Sequence, residues 1–158
     1  MQINPRVVLL LTCLANLTFV PLAWAQAGDV AVIVNRNNPI TDLSYQELRK
    51  IFNGETRSWS TGVPIKLFVR DPGARERIVL LNLLGMTEHD YKLYWVTEVF
   101  RGRAQASPVT LFSNNVQRQA VQVYPGAVAL VDARDVKSGT KVVTVEGRMP
   151  GEDKYPLR

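Results

Sequence analysis

Two arginines flank a turn in the stretch FVRDPGARER, residues 68–77: Arg70 stands before it and Arg75 after it, with Pro72 and Gly73 between. Guanidinium groups make paired, charge-assisted hydrogen bonds to oxyanions. An apolar, strand-like run precedes the turn and a helical pattern follows it, so the arginines bracket a helix start. Unsatisfied backbone N–H groups and the positive end of a helix dipole converge at such a point. The chemistry open to Arg70, Gly73 and Arg75 is therefore capture of a small anion. Ser113 and Asn114 open a later helical pattern and form a second exposed helix start of the same kind.

The same residues admit another arrangement. Asp71 is a favoured N-cap and Pro72 a favoured first helical residue, which would start the helix earlier and satisfy its free N–H groups internally. Arg70 and Arg75 would then pair with Asp71, Glu76 or a partner, and the two carboxylates would repel an arriving anion. Both arrangements stand at this stage.

The remaining chemistry is thin, and the expectation is a protein that is not an enzyme and needs no cofactor. His89 is the only histidine and lies beside Glu88 and Asp90 on a helical stretch, where a surface position fits better than a metal ligand. A nucleophilic triad has too few parts, and there is no Walker loop or dinucleotide fingerprint. The net charge of +5 is spread among acids rather than gathered in a run. Arg101 and Arg103 in FRGR complement a helix C-terminus, so no nucleic acid is expected as a partner.

Several elements must position these residues. DVAVIVNRNNP (29–39) reads as a buried strand closed by a loop, and VPIKLFVR (63–70) as another. SYQELRKIFNG carries Ser44 and Glu47 in capping-box spacing, with Leu48, Ile51 and Phe52 on one face and Gly54 as its stop. ARERIVLLNLLG gives a second helix ending at Gly85. A third helix runs from about Thr87 to Gly102, with Tyr91, Tyr94, Trp95, Val99 and Phe100 as its core stripe and Leu93 left out. ASPVTLF is a loop or edge strand, and a fourth helix follows Ser113. AVALVD (127–132) and KVVTVEG (141–147) are further strands, and RMPGEDKYPLR is a packing strap. Strands alternating with helices predict an α/β domain whose mixed sheet is covered by helices on both faces.

At the start of the chain, Arg6 precedes the apolar VVLLLTCLANLTFV and a small-x-small site at Ala23-Trp24-Ala25. This pattern predicts a signal peptide over residues 1–25 and a domain over 26–158, periplasmic or secreted after cleavage near Ala25. Cleavage would remove Cys13, the only cysteine, and leave no membrane insertion. The alternative is an uncleaved anchor, although the run from Val7 to Ala25 is broken by polar residues and Pro21.

Taken in order, these stretches resemble the solute-binding proteins of phosphate ABC transporters, of the periplasmic binding protein type II fold. The resemblance is carried by VNRNNPITDLSYQELRKIFNGETRSW with TGVPI behind it, FVRDPGAR, the YW and FRG of the third helix, VYPGAVALVD, and VVTVEGRMP with the closing YPLR. It implies a phosphate-binding-protein-like domain over most of residues 26–158. Members of this family close two lobes on the ligand, and the chain crosses between them through a strand like DVAVIVN. Here that strand follows the expected signal peptide directly, so the resemblance implies a short, stand-alone, single-lobe member. The family also has Arg, two residues, then Gly-Ser-Gly-Thr, whereas this chain keeps Arg70 and Gly73 but carries Ala74, Arg75 and Glu76 where the later three would stand. The implied function is weak binding of phosphate or a similar oxyanion. The alternative is an interaction or sensory module that keeps the fold without the ligand and docks an envelope protein or a second copy of itself.

Overall fold

The computed structural model describes residues 28–158, so the expected signal peptide and its cleavage site lie outside the described residues. In chain order the elements are β1 (Val30–Asn35), β2 (Asp42–Leu43), α1 (Tyr45–Phe52), β3 (Lys66–Arg70), α2 (Arg75–Leu84), α3 (Glu88–Phe100), β4 (Val109–Leu111), α4 (Asn114–Val123), β5 (Ala127–Asp132) and β6 (Thr140–Val145). A short 3-10 turn, Ala133–Asp135, follows β5. The capping box expected at the first helix is present, with the Ser44 hydroxyl accepting from the Glu47 N–H and the Glu47 carboxylate accepting from the Ser44 N–H.

The strands form one sheet in the order β2-β6-β1-β5-β3-β4. β1 is antiparallel to both neighbours, β5 and β6, while the β2–β6, β3–β5 and β3–β4 pairs are parallel. Only β1 therefore runs against the rest. The carboxyl ends of the other five strands share one edge with the amino end of β1, which brings Arg70, Asp132 and Gly28 toward the same side of the molecule.

Strand alternation sends side chains to opposite faces, and here both faces are apolar. Val30, Val32 and Val34 of β1, with Val128 and Leu130 of β5, enter a core shared with Leu48 and Phe52 of α1, Leu80 and Leu83 of α2, and Trp95 of α3. Ala31, Ile33, Ala127, Ala129 and Val131 face the other way and meet Val121 of α4. The fold is the expected α/β domain, a mixed sheet with helices on both faces. The closing strap also behaves as expected: Tyr155 and Leu157 are buried, the Val30 N–H donates to the Leu157 carbonyl at 2.9 Å, and Tyr155 Oη donates to the Val30 carbonyl at 2.9 Å.

The third helix departs from expectation. Tyr91 and Trp95 are buried and Tyr94 is half-buried, but Val99 is 38% exposed and Phe100 91% exposed. The reason is where α3 sits. It packs over the end of α1, with Tyr94 Oη donating to the Asn53 carbonyl at 2.7 Å, and Trp95 lies so close to Gly54 that a Cβ there would stand 2.7 Å from the indole. That contact buries one narrow side of α3 and leaves the far side bare.

Candidate functional site

At the end of β3 the backbone turns before the helix begins. The Ala74 N–H donates to the Asp71 carbonyl at 3.2 Å, and Gly73 sits in the left-handed region at φ +87°, where glycine is favoured. Ala74 is the N-cap of α2, with no side-chain cap, and Arg75 is the first helical residue. This corrects the arrangement in which Asp71 caps the helix and Pro72 opens it. The turn takes up Asp71, Pro72 and Gly73, and the Asp71 carboxylate folds back to accept from Arg70 Nε at 3.2 Å.

Arg70 is the centre of a closed network. Its side chain is only 14% exposed, and that of Glu76, in the first turn of α2, is 6% exposed. Arg70 Nη1 donates to Asn114 Oδ1 at 3.0 Å and approaches Glu76 Oε2 at 3.4 Å, and Arg70 Nη2 donates to the Phe112 carbonyl at 3.1 Å. Asn114 Nδ2 in turn donates to Glu76 Oε1 at 2.5 Å and to Asp135 Oδ2 at 2.9 Å. The strand end thus places an arginine against two carboxylates, Asp71 and Glu76, and an amide that gathers a third, Asp135.

The other residues singled out from the sequence fall around this centre in different ways. Gly73 is exposed, and nothing lies within 4 Å of where its Cβ would be. Ser113 spends its hydroxyl on α4, accepting from the Val116 N–H at 3.2 Å, whereas Asn114 is buried in the Arg70 network. Arg75 turns toward the start of β1, its Nη1 donating to the Gly28 carbonyl. Arg70 and Asn114 are therefore brought into direct contact, while Arg75 serves a neighbouring strand end.

Sequence reasoning passed over that neighbouring part of the edge. Asp132, the last residue of β5, accepts from Arg134 Nε at 2.9 Å and Arg134 Nη2 at 2.6 Å. Beyond this pair lies a cavity of about 630 Å³ lined by Gly28, Asp29, Ala133, Arg134, Gly151 and Arg158, among others, with Arg158 Nε 3.4 Å from Asp29. The available signal was a carboxylate closing an otherwise apolar strand, AVALVD. Among the described residues, no group of three or more His, Cys, Asp or Glu side chains could hold a metal ion.

The Asp132 pair yields a pH prediction. Hydrogen bonds from the Arg134 side chain hold the Asp132 carboxyl below its ordinary value, against the opposing effect of burial. A carboxyl whose folded-state pKa is depressed adds stability above its unfolded-state pKa, and this is lost as pH falls through the folded-state value. The urea midpoint of an Asp132→Asn variant should therefore lie below that of the parent at neutral pH. The difference should begin to shrink below about pH 4, the unfolded aspartate range. A difference independent of pH would show that the carboxylate charge plays no part.

The comparisons with known proteins now bear on this geometry. The family model described as PBP superfamily domain matches residues 25–155. The chain belongs to that family. Among solved structures, this PBP domain is similar to an ABC-type phosphate transport receptor from Vibrio cholerae at 20% identity and a TM-score of 0.63, over 78% of this chain and 48% of that one. A putative phosphate ABC transporter substrate-binding protein with bound phosphate from Clostridium perfringens gives 21% identity and a TM-score of 0.62, over 77% and 46%. PstS from Borrelia burgdorferi gives 17% and 0.58, over 78% and 49%. At these identities the likeness is one of fold. The aligned part of the PBP domain spans about half the length of each of these structures. No curated protein matches the sequence.

Proposed function

We propose that this PBP domain is an exported, non-enzymatic relative of phosphate-binding proteins in which Glu76 has taken the place of the anion. Its open strand-end edge then acts as a docking surface for another protein of the cell envelope. The observation that carries this reading is the engagement of Arg70 with Asp71, Glu76, Asn114 and the Phe112 carbonyl. An arriving oxyanion would have to displace a buried carboxylate from the guanidinium and would meet Asp71 and Asp135 nearby. Export rests on the signal-like pattern ending at Ala25.

One observation favours the second reading, weak oxyanion binding: Ala74, the N-cap of α2, supplies no side-chain cap, so the helix N-terminus has not been closed by a capping carboxylate. A ligand held there by one lobe would keep half its shell in water, with affinity in the millimolar range, on the order of 4 kcal/mol. Calorimetric titration of phosphate, with sulfate as control, into the chain at low ionic strength separates the two. Silence up to millimolar phosphate supports the filled site. Saturable heat specific to phosphate supports the weak-binding reading instead.

A further inference from the structure

On the side of α3 away from Tyr91 and Trp95, Leu93 is 58% exposed, Val96 64% and Phe100 91%, with the half-covered Val99 beside them. The spacing of three and four residues places Leu93, Val96 and Phe100 in one straight stripe, the pattern that a facing helix fills. The stripe bares on the order of 500 Å² of apolar surface, at the upper end of what a monomer usually carries. It is separate from the Arg70 edge and plays no part in the function proposed for it.

We propose that this stripe is the contact of a homodimer, in which α3 of one copy lies antiparallel to α3 of a second. Two observations select a second copy of this chain. The first is charge: Glu88 and Arg103 are engaged within the chain by Arg77 and Glu98, but the exposed Asp90 lies in the first turn of α3 and the exposed Arg101 at its C-cap, so an antiparallel pair sets Asp90 of each helix toward Arg101 of the other. The same orientation opposes the two helix dipoles, placing the partly positive end of each against the partly negative end of the other. The second is area: two such stripes face to face bury on the order of 1,000 Å², the lower limit for a specific interface. An interface of that size gives a dimer that forms and dissociates in the micromolar range. The contact is isologous and therefore closes at two copies.

The test is sedimentation equilibrium of the full chain, expressed with its own N-terminal segment and purified as the cell processes it, over a wide concentration range. The expected result is a mass that rises from one to two copies with concentration. Val96→Glu should raise the dissociation constant at least tenfold, and Leu93→Lys should do the same as an independent variant. Val123→Glu, at a comparably exposed valine on α4, should leave it unchanged. Because the substituted side chains are largely solvent-exposed, circular dichroism should show each variant folded as the parent. A monomer at every concentration overturns the proposal, including one whose stripe is covered by another protein, by lipid or by the chain's own first residues. A dimer that survives both Val96→Glu and Leu93→Lys overturns it equally.

Discussion

Arg70→Ala is expected to destabilise the fold by about 3–5 kcal/mol, the range seen when one partner of a buried ion pair is removed. The cost lies in what the substitution leaves behind. Glu76 is buried with one carboxylate oxygen facing Arg70 and the other held by Asn114, so loss of the guanidinium leaves a buried charge whose remaining hydrogen-bond partner is a neutral amide. Asp71 loses its contact at 3.2 Å and the Phe112 carbonyl its donor at 3.1 Å. A loss of this size is a large fraction of the roughly 5–15 kcal/mol that holds an ordinary domain together. Urea denaturation followed by circular dichroism measures it. An arginine retained for a ligand would instead be dispensable to the empty fold, and an unchanged midpoint would contradict the structural role assigned to it. Arg70→Lys should fall between, since an ammonium cannot span Asp71, Glu76, Asn114 and the Phe112 carbonyl at once.

Glu76→Gln is expected to create or strengthen oxyanion binding. The amide keeps the size of the side chain and an oxygen able to accept from Arg70, while removing a full negative charge beside the guanidinium. Two unit charges about 4 Å apart in a partly screened site interact by several kcal/mol, of which water and relaxation leave a part. A net gain of about 1.4–3 kcal/mol corresponds to roughly ten- to hundredfold tighter phosphate binding. Calorimetry on the variant at low ionic strength reads this directly. An isotherm as silent as that of the parent would show that Glu76 is not what keeps the anion out.

Much of the fold was legible because local and global signals agreed. Val30 to Asn35 reads as a buried strand and is one, and Ser44 with Glu47 reads as a capping box and forms one. The alternating α/β pattern led to the two-faced sheet. Where the sequence misled, a local preference lost to a neighbour. Asp71 and Pro72 have the chemistry of a helix start, but Arg70 draws the Asp71 carboxylate back and the Gly73 turn delays the helix to Arg75. Val99 and Phe100 have helical spacing with Trp95, yet spacing alone does not say how wide a side of the helix will be covered, and α3 docks through a narrow one.

The candidate site was legible in part for a related reason. Arg70 announced itself by its position before a turn, and Glu76 by its charge close behind it. Asn114 was singled out for its backbone, as the start of a helix, whereas its side chain is what joins Arg70 to Glu76 and Asp135. The local Asp132–Arg134 pair meets Asp29 and Arg158 because β1 runs against the rest of the sheet, bringing the start of β1 to the carboxyl end of β5. No spacing along the chain encodes that meeting.

The proposal that Glu76 occupies the seat an oxyanion would take is decided by a crystal structure of the protein grown in concentrated phosphate. The predicted result is a Glu76 carboxylate still held between Arg70 Nη1 and Asn114 Nδ2, with no anion at the start of α2. A phosphate bound by Arg70 and the first backbone N–H groups of α2, with Glu76 swung out to solvent, would contradict it.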